Sequence, residues 1–150
     1  MAHRRTRAML LALSAAAIAG CGDNDDDGGP RRPVSCDVAS ASAVISVGQT
    51  IEGQLTTSDC LLDDDTPADL YRLTLNTART IQIDMSSGSF DTYLVLFNAS
   101  GGVPIDENDD IAFPSNLNSR IVRTLPAGTY IIGANTVEPD DLGSYTLRVQ

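Results

Sequence analysis

Four side chains suited to binding through oxygen, Asp91, Asn108, Asp109 and Asp110, flank two runs with strand character. The runs are Tyr93 to Phe97 and Val103 to Asp106, and the five residues Asn98-Ala99-Ser100-Gly101-Gly102 separate them. If Phe97 pairs with Val103 across that loop, Thr92 faces Asn108 and Asp91 faces Asp109. Two carboxylates facing each other destabilise a hairpin unless a cation lies between them. Calcium suits this donor set, because it takes about six to eight oxygen ligands from carboxylates, amides, backbone carbonyls and water. A second reading stays open: a solvated acidic turn whose Asp and Asn side chains cap backbone amides.

Other chemistry is excluded by residue type. The chain has 150 residues, 20 acidic against 10 basic, for a net charge of -10. A nucleic-acid partner is therefore not expected, and any partner should be neutral or cationic. All the basic residues are arginine, Lys and Trp are absent, and the single histidine is His3. Histidine-based nucleophiles, histidine zinc sites and Schiff-base lysines are thus missing beyond the N-terminal segment. Catalysis would have to run on carboxylates alone, as in a glycoside hydrolase. Most of these carboxylates lie in polar turns, where burial does not raise their pKa. The expectation is no enzyme and no catalytic residue.

The cysteines divide by position. Arg4, Arg5 and Arg7 precede an apolar stretch from Met9 to Ala19, the pattern of a secretory signal and too short for a spanning helix. Ile18-Ala19-Gly20-Cys21 resembles the lipobox of bacterial lipoproteins, in which the cysteine is acylated and becomes the new N-terminus. Residues 1–20 are read as the signal peptide. Residues 21–34, acidic and rich in Gly and Pro, are read as a linker after lipidated Cys21. Cys36 and Cys60 remain, an even pair in a chain bound for an oxidising compartment, and a disulfide between them is expected.

Residues 35–150 are read as one domain, and from Ala43 onward apolar and polar residues alternate with period two. Expected strands are Ala43 to Val47, Thr50 to Leu55, Leu70 to Leu75, Thr80 to Met85, Tyr93 to Phe97, Val103 to Asp106, Arg120 to Leu125, Thr129 to Ala134 and Ser144 to Val149. Inward rows are Tyr71-Leu73-Leu75, Ile81-Ile83-Met85, Tyr130-Ile132 and Tyr145-Leu147-Val149. The four tyrosines are expected to pack in the core. The fold class is all-β: a single antiparallel β-sandwich, jelly-roll-like, with about eight or nine short strands.

In order along the chain, Ala68-Asp69-Leu70-Tyr71-Arg72-Leu73, Phe90-Asp91-Thr92-Tyr93-Leu94-Val95-Leu96, Glu107-Asn108-Asp109-Asp110, Leu125-Pro126-Ala127-Gly128-Thr129-Tyr130 and Gly143-Ser144-Tyr145-Thr146-Leu147 resemble the bacterial pre-peptidase C-terminal domain family. The resemblance implies a small jelly-roll-like sandwich that usually trails a secreted peptidase, with some relatives binding calcium or polymers such as collagen and chitin. No peptidase precedes the domain here, so the expectation is a noncatalytic module on its own anchor. Its expected place is the bacterial cell envelope, at the outer membrane or cell surface where the host has an outer membrane. The expected partners are the membrane, through the lipid, and a protein or polysaccharide ligand. A structural envelope or assembly factor protecting a partner protein is the alternative.

Overall fold

The computed structural model describes residues 35–150. The signal peptide, Cys21 and the linker lie outside the described residues. Among the described residues ten strands form two sheets: β1 (Ala43–Ile45), β2 (Thr50–Leu55), β3 (Cys60–Leu61), β4 (Pro67–Leu75), β5 (Arg79–Ser86), β6 (Thr92–Asn98), β7 (Asp106–Asn108), β8 (Ser119–Leu125), β9 (Gly128–Thr136) and β10 (Gly143–Val149). The six-stranded sheet runs β1-β4-β9-β6-β7, with β3 also on β4, and the four-stranded sheet runs β2-β10-β5-β8. The two stack as a β-sandwich.

Period-two alternation explains the main core. All the inward rows expected from the sequence are buried, and they meet Ile45, Leu55, Leu94, Leu96, Ile121 and Leu125 between the sheets. Polar ties join the two layers. The Tyr71 and Tyr145 hydroxyls lie 2.6 Å apart, and Tyr145 donates to the Asp69 carboxylate. Gly53, opposite Tyr145 in the ladder, leaves room for that ring; a β-carbon there would collide with it. At the turn before β9, the Tyr130 hydroxyl donates to the Pro126 carbonyl at 3.0 Å, an arrangement like the tyrosine corner of other sandwiches.

Four expectations need correction. The strand count is ten, because the two-residue β3 gives no alternating signal. The sandwich is not wholly antiparallel, since β1 pairs parallel with β4, Ala43 opposite Tyr71 and Ile45 opposite Leu73. β1 leads into β2 of the other sheet, so no hairpin turn constrains its direction. The strand expected from Val103 starts at Asp106 instead. Tyr93 belongs to a second apolar cluster with Val95, Phe97 and Ile131, on the opposite face of its sheet from the main core.

The N-terminal segment covers part of that outer face. Cys36 and Cys60 are disulfide-bonded, as expected, and the Cys36 N–H donates to the Leu61 carbonyl at 2.8 Å. A single 3-10 turn, Val38–Ser40, follows. Arg72 of β4 donates to the Ala39 carbonyl at 3.0 Å and to the Ala41 carbonyl at 2.9 and 3.1 Å, which holds the segment against the sheet.

The bridge closes a loop with a sequence separation of 24. On the chain-entropy account its loss costs about 3.5 kcal/mol. Chemical denaturation of Cys36→Ala/Cys60→Ala should show a loss of this order. Amide exchange should accelerate first over residues 35–42, and exchange there at the native rate would contradict the tethering role.

Candidate functional site

The acidic group expected to hold a cation lies at one end of the β6–β7 hairpin, in a register different from the one the sequence suggested. Leu94 faces Asn108, Val95 faces Glu107 and Leu96 faces Asp106. Thr92 therefore does not face Asn108, and Asp91 does not face Asp109. The connection is longer because Asn98 and Gly101 close a turn at 2.9 Å, and Gly101 and Gly102 continue it at φ values of 72° and 87°. Pro104 then has no N–H to offer the ladder. Val103, 85% exposed, has no packing to hold it opposite Phe97, and Ile105 is the residue whose N–H returns to β6, on the Leu96 carbonyl at 2.8 Å. The slip is two residues, so every side chain keeps its face while its partner changes.

The four residues have different surroundings. Asn108 bridges the layers: its Oδ1 accepts from the Arg120 N–H of β8 at 2.8 Å, and its Nδ2 donates to the Asp110 carbonyl at 3.2 Å. Asp109 Oδ1 accepts the Asp110 N–H at 2.8 Å, a local cap. Asp91 and Asp110 differ, because each has a buried Oδ1 with no hydrogen-bond partner. Burial, then the charges of Asp110, Asp109, Asp141 and Glu138, push the Asp91 carboxyl up to about 6. Asp110 is also raised, first by burial and then by Asp109.

Two orphaned carboxylate oxygens beside further carboxylates are a hard-oxygen donor set, which fits calcium better than zinc. Among the described residues no three His, Cys, Asp or Glu side chains converge to enclose an ion. Asp91 and Asp110 would supply the side-chain oxygens, and backbone carbonyls and water the rest.

A second site was not anticipated from the sequence. A groove of about 600 Å³ opens on the outer face of the six-stranded sheet. Its floor is Tyr93, Val95 and Phe97 of β6, and its walls are the disulfide-held segment 36–39, the loop 62–64 and the loop 100–104. Glu107 of β7 stands at its edge, and burial, then the charge of that carboxylate, holds the Tyr93 hydroxyl well above the ordinary phenol range. The available signal was the unbroken apolar run from Tyr93 to Phe97, since a strand apolar at successive positions must be covered on both faces.

Residues 67–136 match the model of the family described as the bacterial pre-peptidase C-terminal domain. Among solved structures, the chain is similar to the pre-peptidase C-terminal domain of collagenase from Bacillus anthracis, with a TM-score of 0.57 and 16% identity over 81% of this chain and 100% of that one. It also matches PliG of Aeromonas hydrophila, a periplasmic lysozyme inhibitor of g-type lysozyme, with a TM-score of 0.46 and 15% identity over 72% of this chain and 98% of that one. No curated protein matches the chain.

The state of Asp91 sets a pH dependence. Its carboxyl titrates near 6 in the folded chain and near the ordinary 3.8 when unfolded. Between these values the native state binds more protons, so this group makes stability fall as pH rises. In buffer with chelator, Asp91→Asn should therefore melt higher than the native chain above pH 6, with the difference shrinking toward pH 4. A difference independent of pH would remove Asp91 from this role.

Proposed function

We propose that this chain is a noncatalytic binding module of the pre-peptidase C-terminal family, attached to the bacterial cell envelope through acylated Cys21, steadied by calcium, and directed at a protein or polysaccharide. The groove on the outer face of the six-stranded sheet carries the binding reading. A concave, apolar-floored cavity of this size is the usual form of a ligand site. The family match over residues 67–136 and the fold shared with a collagenase's domain support membership.

The anchor rests on the order of arginines, apolar run, small residues and Cys21. Each buried methylene contributes about 0.8 kcal/mol, so two or more acyl chains hold a protein on a bilayer without a spanning helix. Among the described residues no helix is long and apolar enough to cross a membrane. An outer-membrane or surface position is consistent with Gly22, rather than an acidic residue, directly after the cysteine. Calcium at Asp91 and Asp110 would offset the repulsion that these carboxylates otherwise carry, at the affinity of about 10⁻⁴ to 10⁻³ M usual for extracellular modules.

A matrix-protein and glycan array, run with and without calcium, tests the binding reading; retention on no surface in either condition would refute it. Cys21→Ser should move the protein from the detergent phase to the aqueous phase, and unchanged partitioning would refute the anchor. Several millimolar calcium should raise the native melting temperature, and the rise should vanish in Asp91→Asn and Asp110→Asn. A rise that persists in both would place the cation elsewhere.

A further inference from the structure

We infer that the outer groove receives an arginine or lysine side chain of a partner polypeptide. The inference builds on the binding-module reading and names its ligand chemistry. Val95 and Phe97 pack beneath the groove at 3% and 6% exposure, and above them half-buried Tyr93 and Val103, 85% exposed, present the accessible aromatic and aliphatic surface. Such a surface suits a long methylene stem that ends in a cation. Four carboxylates, Asp37, Asp63, Asp64 and Glu107, line the groove, and no basic residue does.

These carboxylates have no opposite charge of their own. Among the described residues the ion pairs are Arg120 with Asp84 and Arg123 with Asp106, both away from the groove. Arg72, on the same sheet face, is turned to the Ala39 and Ala41 carbonyls. Asp37 accepts the Ser40 hydroxyl, and Asp64 accepts the Thr66 N–H and hydroxyl, so these two already have local donors. Asp63 and Glu107 are the carboxylates best placed to take a new one. A neutral apolar ligand would strip water from these charges without replacing it, whereas a guanidinium or ammonium supplies the missing hydrogen bonds. The charge of the domain favours the same partner, with sixteen carboxylates against five arginines in residues 35–150.

The test is a titration of the full chain, in neutral detergent, with a blocked tetra-arginine peptide and with its citrulline counterpart, which keeps the shape and lacks the charge. The arginine peptide should bind at least tenfold more tightly, with chemical-shift changes at Tyr93, Val95 and Phe97. Asp63→Asn/Glu107→Gln should erase that preference. Glu52→Gln/Asp140→Asn, an equal charge change elsewhere, should keep it. Equal losses in both double variants would mean attraction to the overall charge and would overturn the inference, as would equal binding of the two peptides. A concentration-dependent dimer abolished by Asp63→Asn/Glu107→Gln would assign the groove to a second copy. Tighter peptide binding in Arg31→Ser/Arg32→Ser would assign it to the chain's own preceding arginines; either result overturns the inference. Loss of the arginine preference with continued retention on the array would refute this inference alone, leaving the binding module intact.

Discussion

The six-stranded sheet is apolar on both faces while the four-stranded sheet covers only one, and much of the rest of the molecule follows from that imbalance. Leu94 and Leu96 of β6 point into the main core, and Val95 and Phe97 point the other way. Leaving the second row in water would forfeit on the order of 1.5 to 3 kcal/mol for each large side chain. The segment Ser35 to Ser42 supplies part of the missing cover, and three features hold it there: the Cys36–Cys60 bridge, the Arg72 hydrogen bonds and the parallel pairing of β1 with β4. The groove is what this partial cover leaves open.

Between the sheets the hydrophobic contact is non-directional, and polar ties give it register. Tyr71, Tyr145 and Asp69 form one, and burial holds the Asp69 carboxyl above its usual range. Asn108 to the Arg120 N–H, and Asp106 to Arg123 at 3.1 Å, form others along the β7–β8 side. The Asp106 pair is partly exposed, so solvent screening leaves it a small contribution of about 0 to 1 kcal/mol. Asn108 matters more, because both of its amide groups are occupied and it joins layers that share no backbone ladder.

The β6–β7 hairpin thus serves two chemistries at once. Alternation along β7 places Glu107 at the groove and Asn108 on the layer-joining side. Beyond Asn108 the chain brings Asp109 and Asp110 toward Asp91, where burial, then the neighbouring charges, raises the Asp91 carboxyl. A two-residue slip in this hairpin preserves faces, so it would leave the groove's apolar floor intact while changing which carboxylates meet at the acidic end.

By itself the sequence determined what depends on local periodicity and residue type. Period two located eight of the strands and the rows that build the core, and cysteine pairing identified Cys36 and Cys60. The Leu125-Pro126-Ala127-Gly128-Thr129-Tyr130 motif was legible because its residues act on one another within a few positions, as the Tyr130 hydroxyl does on the Pro126 carbonyl. The direction of β1, the register around Pro104, the outward placement of Tyr93 and the groove were decided only by tertiary structure. Alternation says which side chains share a face, but what covers that face depends on chain far away. The groove joins residues 36–39, 62–64, 93–97 and 100–104, brought together by a disulfide and a sheet whose outer face had to be covered.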